Sequence, residues 1–245
     1  MSSSPIDPPP PSSTAIFFAG WRAAWTSVFS LVLVGTYVGI GALAHNYGFS
    51  LGWVLLSTLL IWAGPAQVIL ISALGAGATP LAAALAVGLS GVRLLPMVVT
   101  LLALIKRADT RSRHLVLPAH LTAVSMWVEA VRLLPKLPRE QRIAFSNGLG
   151  GAFLAAAHVG TVLGYCLAAS LPALLTAGLL FLTPMSFLVS TVRNSKILVE
   201  RLALALGLVV GPLLACAEVG LDLMWTGVVA GTAAYAVHRL REARR

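Results

Sequence analysis

Apolar residues run along this chain in stretches near 20 residues, punctuated by short groups of Gly, Pro or charge, and show no period-2 alternation. Each stretch is near the length that spans a ~30 Å hydrocarbon core. The pattern predicts helices over 24–44, 51–74, 80–105, 115–134, 146–170, 173–192, 197–216 and 221–238. The fold class expected is an all-α polytopic membrane protein with seven or eight transmembrane helices, some broken by proline. Residues 1–21 open with Ser and Pro and read as a disordered tail, and 22–245 as a single transmembrane domain.

Composition supports this class. Of 245 residues, 58% are hydrophobic and 10% charged, against roughly a quarter charged in soluble domains. The 17 Lys and Arg against 8 Asp and Glu fit basic loops beside anionic lipid, so no nucleic-acid partner is expected. Cys166 and Cys216 lie inside apolar runs without metal-ligand spacing, and no acid cluster suits a divalent ion, so neither metal nor cofactor is expected. No P-loop, HExxH or nucleophile with its base appears, so the chain reads as a non-enzyme.

Charge is unevenly placed. Residues 106–113 carry four cations, and further clusters are Arg132, Lys136, Arg139 and Arg142; Arg193, Lys196 and Arg201; and Arg239, Arg241, Arg244 and Arg245. Cationic loops stay cytoplasmic, yet the 115–134 stretch has one at each end. Either that stretch breaks the rule, giving eight crossings with both termini inside, or it fails to cross. The second choice gives seven crossings and an external N-terminus, and it is preferred because only Arg22 holds the N-terminal arm inside. Thr122, Ser125, Glu129 and Arg132 also form a polar stripe at helical spacing on this stretch.

The two halves match one another. Gly35-Thr36-Tyr37-Val38-Gly39 parallels Gly160-Thr161-Val162-Leu163-Gly164. At an offset of 119, Ala63-Gly64-Pro65 parallels Leu182-Thr183-Pro184, and residues 84–89 parallel 203–208. This reads as an internal repeat, with copy one over 24–105 and copy two over 146–216, separate from helix four (115–134) and the final helix (221–238). Seven crossings make the copies inverted, eight make them parallel. Transporters of this kind bind substrate where the copies meet.

Pro65 and Pro184 stand inside apolar stretches, where the missing N–H frees the carbonyls of Ile61 and Leu180. Gly64 before Pro65 is the pattern of one half-helix ending and another starting, which offers N–H groups to a carboxylate and carbonyls to an ammonium. Gln67 follows within hydrogen-bond range of such a ligand. Arg93, near the middle of its stretch, is expected to face the protein interior and to hold a substrate carboxylate or an ion-pair partner. Glu129, His120 and His158 are the candidates for proton coupling.

Several of these segments resemble the AzlC family, the large subunit of a branched-chain amino acid permease/exporter system. Trp62-Ala63-Gly64-Pro65-Ala66-Gln67 is similar to the family's FAGASQ, Gly91-Val92-Arg93-Leu94-Leu95 to its NLRHLL, Leu121-Thr122-Ala123-Val124-Ser125 to its LTDES, and Leu182-Thr183-Pro184-Met185 to its LPAM-type stretch. Gly64, Gln67, Arg93, Thr122 and Pro184 match. Gly91 and Leu94 replace the family's Asn and His, and Ala123-Val124 its Asp-Glu pair. The resemblance implies a secondary transporter of the bacterial inner membrane that exports hydrophobic, branched-chain-type amino acids. It also implies a small AzlD-type membrane subunit as partner. The substrate-binding set expected is Gly64, Pro65, Gln67, Arg93, Thr122 and Pro184. A transporter of another small zwitterion, or a non-catalytic membrane scaffold in which Arg93 and Glu129 tie helices together, are the alternatives.

Overall fold

The computed structural model describes residues 12–170, 181, 185, 188–189, 192, 195, 197–217 and 222–242. Two compact units divide at Thr183 and Pro184.

In the first unit the helices are α1 (Ser13–Trp25), α2 (Val28–Asn46), α3 (Leu51–Ile61), α4 (Gly64–Gly75), α5 (Pro80–Gly91), α6 (Leu95–Ile105), α7 (Arg113–His120), α8 (Val124–Leu133) and α9 (Arg142–Ser170). Ser12, Ser27, Ser50 and Thr79 start α1, α2, α3 and α5, each side chain accepting a backbone N–H of the first turn. The segment read as a tail is therefore helical from Ser13 onward, and residues 1–11 lie outside the described residues.

Helix α9, 29 residues and about 44 Å long, is the spine of this unit. Its first half takes α1 and its second half takes α2. Gly148 abuts Phe17, Gly160 abuts Val34 and Gly164 abuts Val38, with backbones close enough that a side chain at these glycines would enter the opposing carbonyl. Between α2 and α9 these contacts advance in the same direction, Val34 to Val38 against Gly160 to Gly164, so α2 runs parallel to α9. The matched segments 35–39 and 160–164 lie on these parallel helices, and the rest of copy two lies mostly outside the described residues or in the second unit.

Two of the predicted helices are hairpins. In 51–75, Gln67 of α4 reaches back to Val54, Ser57 and Thr58 of α3, which a continuous helix would hold roughly 15–20 Å away. The outer end of α4 returns to where α3 began, since Gly75 packs on the ring of Tyr47. In 113–136, α7 and the α8 segment are bent by 118°. The two flanks of this hairpin also meet: Arg107 pairs with Glu140 at 3.6 Å, and Arg142 donates to the Leu104 carbonyl at 2.9 Å. So 115–134 does not cross, as the cationic flanks implied, and 51–74 does not cross either.

Because α2 and α9 are parallel, α2 ends and α9 begins at opposite faces. Both hairpins return to the face they leave, so the 26-residue stretch Pro80–Ile105 makes the connecting crossing. Hairpin 51–75 opens at the uncharged face and hairpin 113–136 at the cationic face. Helix α1 packs on the first turns of α9, with Gly20 against Phe145 and Leu149. Among the described residues four helical stretches are long and apolar enough to cross a membrane, or five with the bent pair, so seven or eight crossings are not found.

The second unit contains α10 (Leu198–Cys216) and α11 (Asp222–Glu242), packed on one another with Gly211 beside Thr226. Most of the predicted 173–192 helix, Pro184 included, lies outside the described residues.

Candidate functional site

The two hairpins enter from opposite faces and touch at their tips. At the first tip, α3 ends on Trp62, the one non-glycine residue among those described with positive φ (φ 38°, ψ 43°), and Ala63 is extended (φ −150°, ψ 107°) before Gly64 and Pro65 begin α4. The half-helix end and proline start expected from Gly64-Pro65 are thus present. At the second tip, α7 ends at His120, Leu121 and Thr122 turn, and Ala123 is extended before α8.

A broken helix leaves carbonyls without their N–H donors four residues on, and inside a membrane these groups must find partners. Each tip supplies the other's. The indole Nε1 of Trp62 donates to the Leu121 carbonyl at 2.8 Å, and His120 Nε2 donates to the Leu59 carbonyl at 2.8 Å. In unbroken helices those carbonyls would have accepted from Ser125 and Ala63. The Trp62 ring stacks on Tyr37 of α2, with centroids 6.3 Å apart. Thr122 is buried and its hydroxyl donates back to Pro118 at 2.7 Å.

The N-termini of α4 and α8 stay open. Their N-cap residues, Ala63 and Ala123, carry no side-chain acceptor, and the first-turn N–H groups before Gln67 and Trp127 have no partner among the described residues. Two partial positive charges therefore stand at the tips inside the apolar region, an arrangement that suits a carboxylate. Behind the first tip, Gln67 is fully buried. Its Nε2 donates to Thr58 Oγ1 at 2.7 Å and Ser57 Oγ at 2.9 Å.

Of the predicted set, Gly64, Pro65, Gln67, Thr122 and His120 come together at the tips. Arg93, Glu129 and His158 do not. Arg93 sits in a single 3₁₀ turn (Val92–Leu94) just before Pro96, exposed and with no hydrogen bond or ion pair among the described residues. The interior reading rested on insertion cost; among the described residues of the first unit no polar group reaches this side chain. Glu129 is buried where α1 meets α2, accepting from Ser27 Oγ at 2.6 Å and from Arg132 at 2.5 and 2.9 Å, so Arg132 neutralises it locally. His158 Nδ1 bonds the Leu154 carbonyl one turn back on its own helix, at 2.8 Å.

Sequence reasoning missed Trp62 and the Ser57-Thr58 pair. Two adjacent hydroxyl residues one turn before a break, inside an otherwise apolar run, were the available signal for the second. A large aromatic at the residue where the helix stops was the signal for the first.

An all-helical chain with apolar spans and opposed membrane hairpins belongs to the class of polytopic membrane proteins. A family model described as AzlC protein matches residues 28–171, more than half of the chain. The chain belongs to the AzlC family, a transport family related to branched-chain amino acids and not an enzymatic one. The matched segment takes in α2 through α9, and so both hairpins and the spine. No curated protein and no solved structure matches.

Proposed function

We propose that this chain is a secondary transporter of the bacterial inner membrane that exports hydrophobic, branched-chain-type amino acids, with the substrate passing where the hairpin tips meet. The observation that carries this reading is the pair of helix N-termini at opposed tips inside the apolar region, neither of which has a side-chain cap. With the cationic face cytoplasmic, hairpin 113–136 guards the inner side and hairpin 51–75 the outer. The tips are latched in this conformation, so exchange between the sides requires them to part, and the low charge around them suits a substrate with an aliphatic side chain. The carboxylate is assigned to the two N-termini and not to Arg93, which no contact joins to the tips. Arg93 instead supports a partner: a cation midway along Pro80–Ile105 calls for a polar group from outside the described residues, and an AzlD-type subunit is proposed to supply it.

The test is efflux of leucine, isoleucine, valine and methionine from cells expressing the wild type, an Ala63→Ser/Ala123→Ser double variant, or neither. Each serine supplies the missing cap, worth about 1 kcal/mol or about fivefold against a competing carboxylate. Efflux is expected to fall severalfold in the double variant while its thermal stability holds or rises. Wild-type efflux no faster than that of cells without the protein refutes the reading.

A further inference from the structure

Gln67 carries a polar atom that the latch does not use. Its amide orientation is set by its neighbours: Ser57 Oγ and Thr58 Oγ1 both donate to the Val54 carbonyl, at 2.8 and 2.9 Å, so only their lone pairs remain for Gln67. Those lone pairs, and the Val54 carbonyl at 3.3 Å, accept from Nε2. The side-chain carbonyl oxygen Oε1 is thereby turned away from this cluster, and it is buried with no hydrogen-bond partner among the described residues. A buried acceptor left unpaired is costly, and native structures retain one where something else completes it.

Two features fall together. The acceptor lies in the first turn of α4, the helix start that offers free N–H groups. The groups that hold its amide are two hydroxyls and a backbone carbonyl, with no acid or cation among them. A neutral carbonyl in such a place accepts from a protonated amine without discharging it, and the neighbouring helix start takes the opposite charge.

The geometry points to Gln67 Oε1 as the acceptor for the ammonium group of a bound α-amino acid whose carboxylate lies on the free N–H groups of the hairpin tips. This rests on the transport reading and adds what that reading leaves open, namely that the site selects for a free primary amine. Ser57, Thr58 and Val54 are positioning residues, since they hold the amide so that oxygen, not nitrogen, is presented. The oxygen is sealed from solvent here, so ligand reaches it when the tips part.

The experiment is binding to purified protein, read as ligand-induced shift of the melting midpoint and as affinity by tryptophan fluorescence. The probes are leucine, 3-methylbutylamine (amine alone), 4-methylpentanoate (carboxylate alone) and N-acetylleucine. Wild type is expected to bind leucine and, more weakly, 3-methylbutylamine, and to reject N-acetylleucine by about 10- to 100-fold relative to leucine, the worth of a hydrogen bond to a charged group. Gln67→Met is expected to lose 3-methylbutylamine and to bind leucine 10- to 100-fold more weakly, with 4-methylpentanoate unchanged. Gln67→Glu keeps an acceptor and is expected to retain the preference for amines. If Gln67→Met fails to fold, the wild-type contrast of leucine with N-acetylleucine still decides, and equal affinity for the two overturns the proposal. So does wild type binding neither amine-bearing probe, the result expected if only a buried water completes Oε1. Amine binding that depends on Gln67, in a protein that moves no leucine, upholds this site and sinks the transport reading. Leucine transport with unaltered amine preference in Gln67→Met does the reverse.

Discussion

Replacing Gly164 by alanine tests the seam between α2 and α9. At this position the backbones are so close that an added Cβ meets the carbonyl oxygen of Val38, with the Val38 Cα and carbonyl carbon directly behind. The obstacle is main chain, not the end of a flexible side chain, so relief requires moving one helix relative to the other. Overpacking of this kind costs about 1–3 kcal/mol. Alanine also gains about 1 kcal/mol over glycine in helix propensity, which would mask part of the loss. Gly35→Ala on α2 supplies the correction, because nothing lies within 4 Å of a Cβ there. The difference between the two variants isolates the seam, and a 2 kcal/mol difference corresponds to about 4–8 °C in melting midpoint for a chain of this size. Intrinsic fluorescence of the six tryptophans during heating in detergent gives the midpoints. Gly35→Ala is expected to melt at or above wild type and Gly164→Ala clearly below it. Equal midpoints for the two would refute the close parallel packing from which the direction of α2 was argued.

Two other predictions bear on the hairpins. Trp62→Phe removes the donor to the Leu121 carbonyl, at a cost of about 1–3 kcal/mol to the closed tips; in a background lacking Cys166 and Cys216, alkylation of a cysteine placed at Ala66 should accelerate at least severalfold, and an unchanged rate would dismiss the latch. In the same background and in intact cells, a membrane-impermeant maleimide should label Ala76→Cys directly and Ser112→Cys only after permeabilisation, and the opposite order would reverse the assigned sidedness.

Much of the helical layout was legible because a bilayer imposes length and polarity rules that leave a strong trace. The stretch 80–105 is recovered to the residue, and Gly64-Pro65 announced a break. What the break did to direction was not legible. Two non-helical residues accommodate a slight bend or a complete reversal, and the reversal here depends on the left-handed backbone at Trp62 and on partners more than 50 residues away, His120 and Leu121. The 115–134 stretch was easier, since cations at both ends and a polar stripe tell against a crossing. The α1 helix was missed because Ser13–Trp25 is too short to span, and its partner, the first half of α9, is a tertiary contact that local pattern does not encode. Arg93 shows the limit of an energetic argument: the insertion penalty says that a guanidinium must be matched, but not which segment does the matching.

The left-handed turn at Trp62 has a bearing on how readily the closed state gives way. Holding a bulky residue there costs about 1–2 kcal/mol, and the ring stacked on Tyr37 together with the indole bond to Leu121 is what pins it. One such neutral bond is worth about 0.5–1.5 kcal/mol, nearly the same amount. Closure at this residue therefore works like a cocked catch: letting go of the indole also lets the backbone unwind to an ordinary conformation, and the two changes nearly cancel.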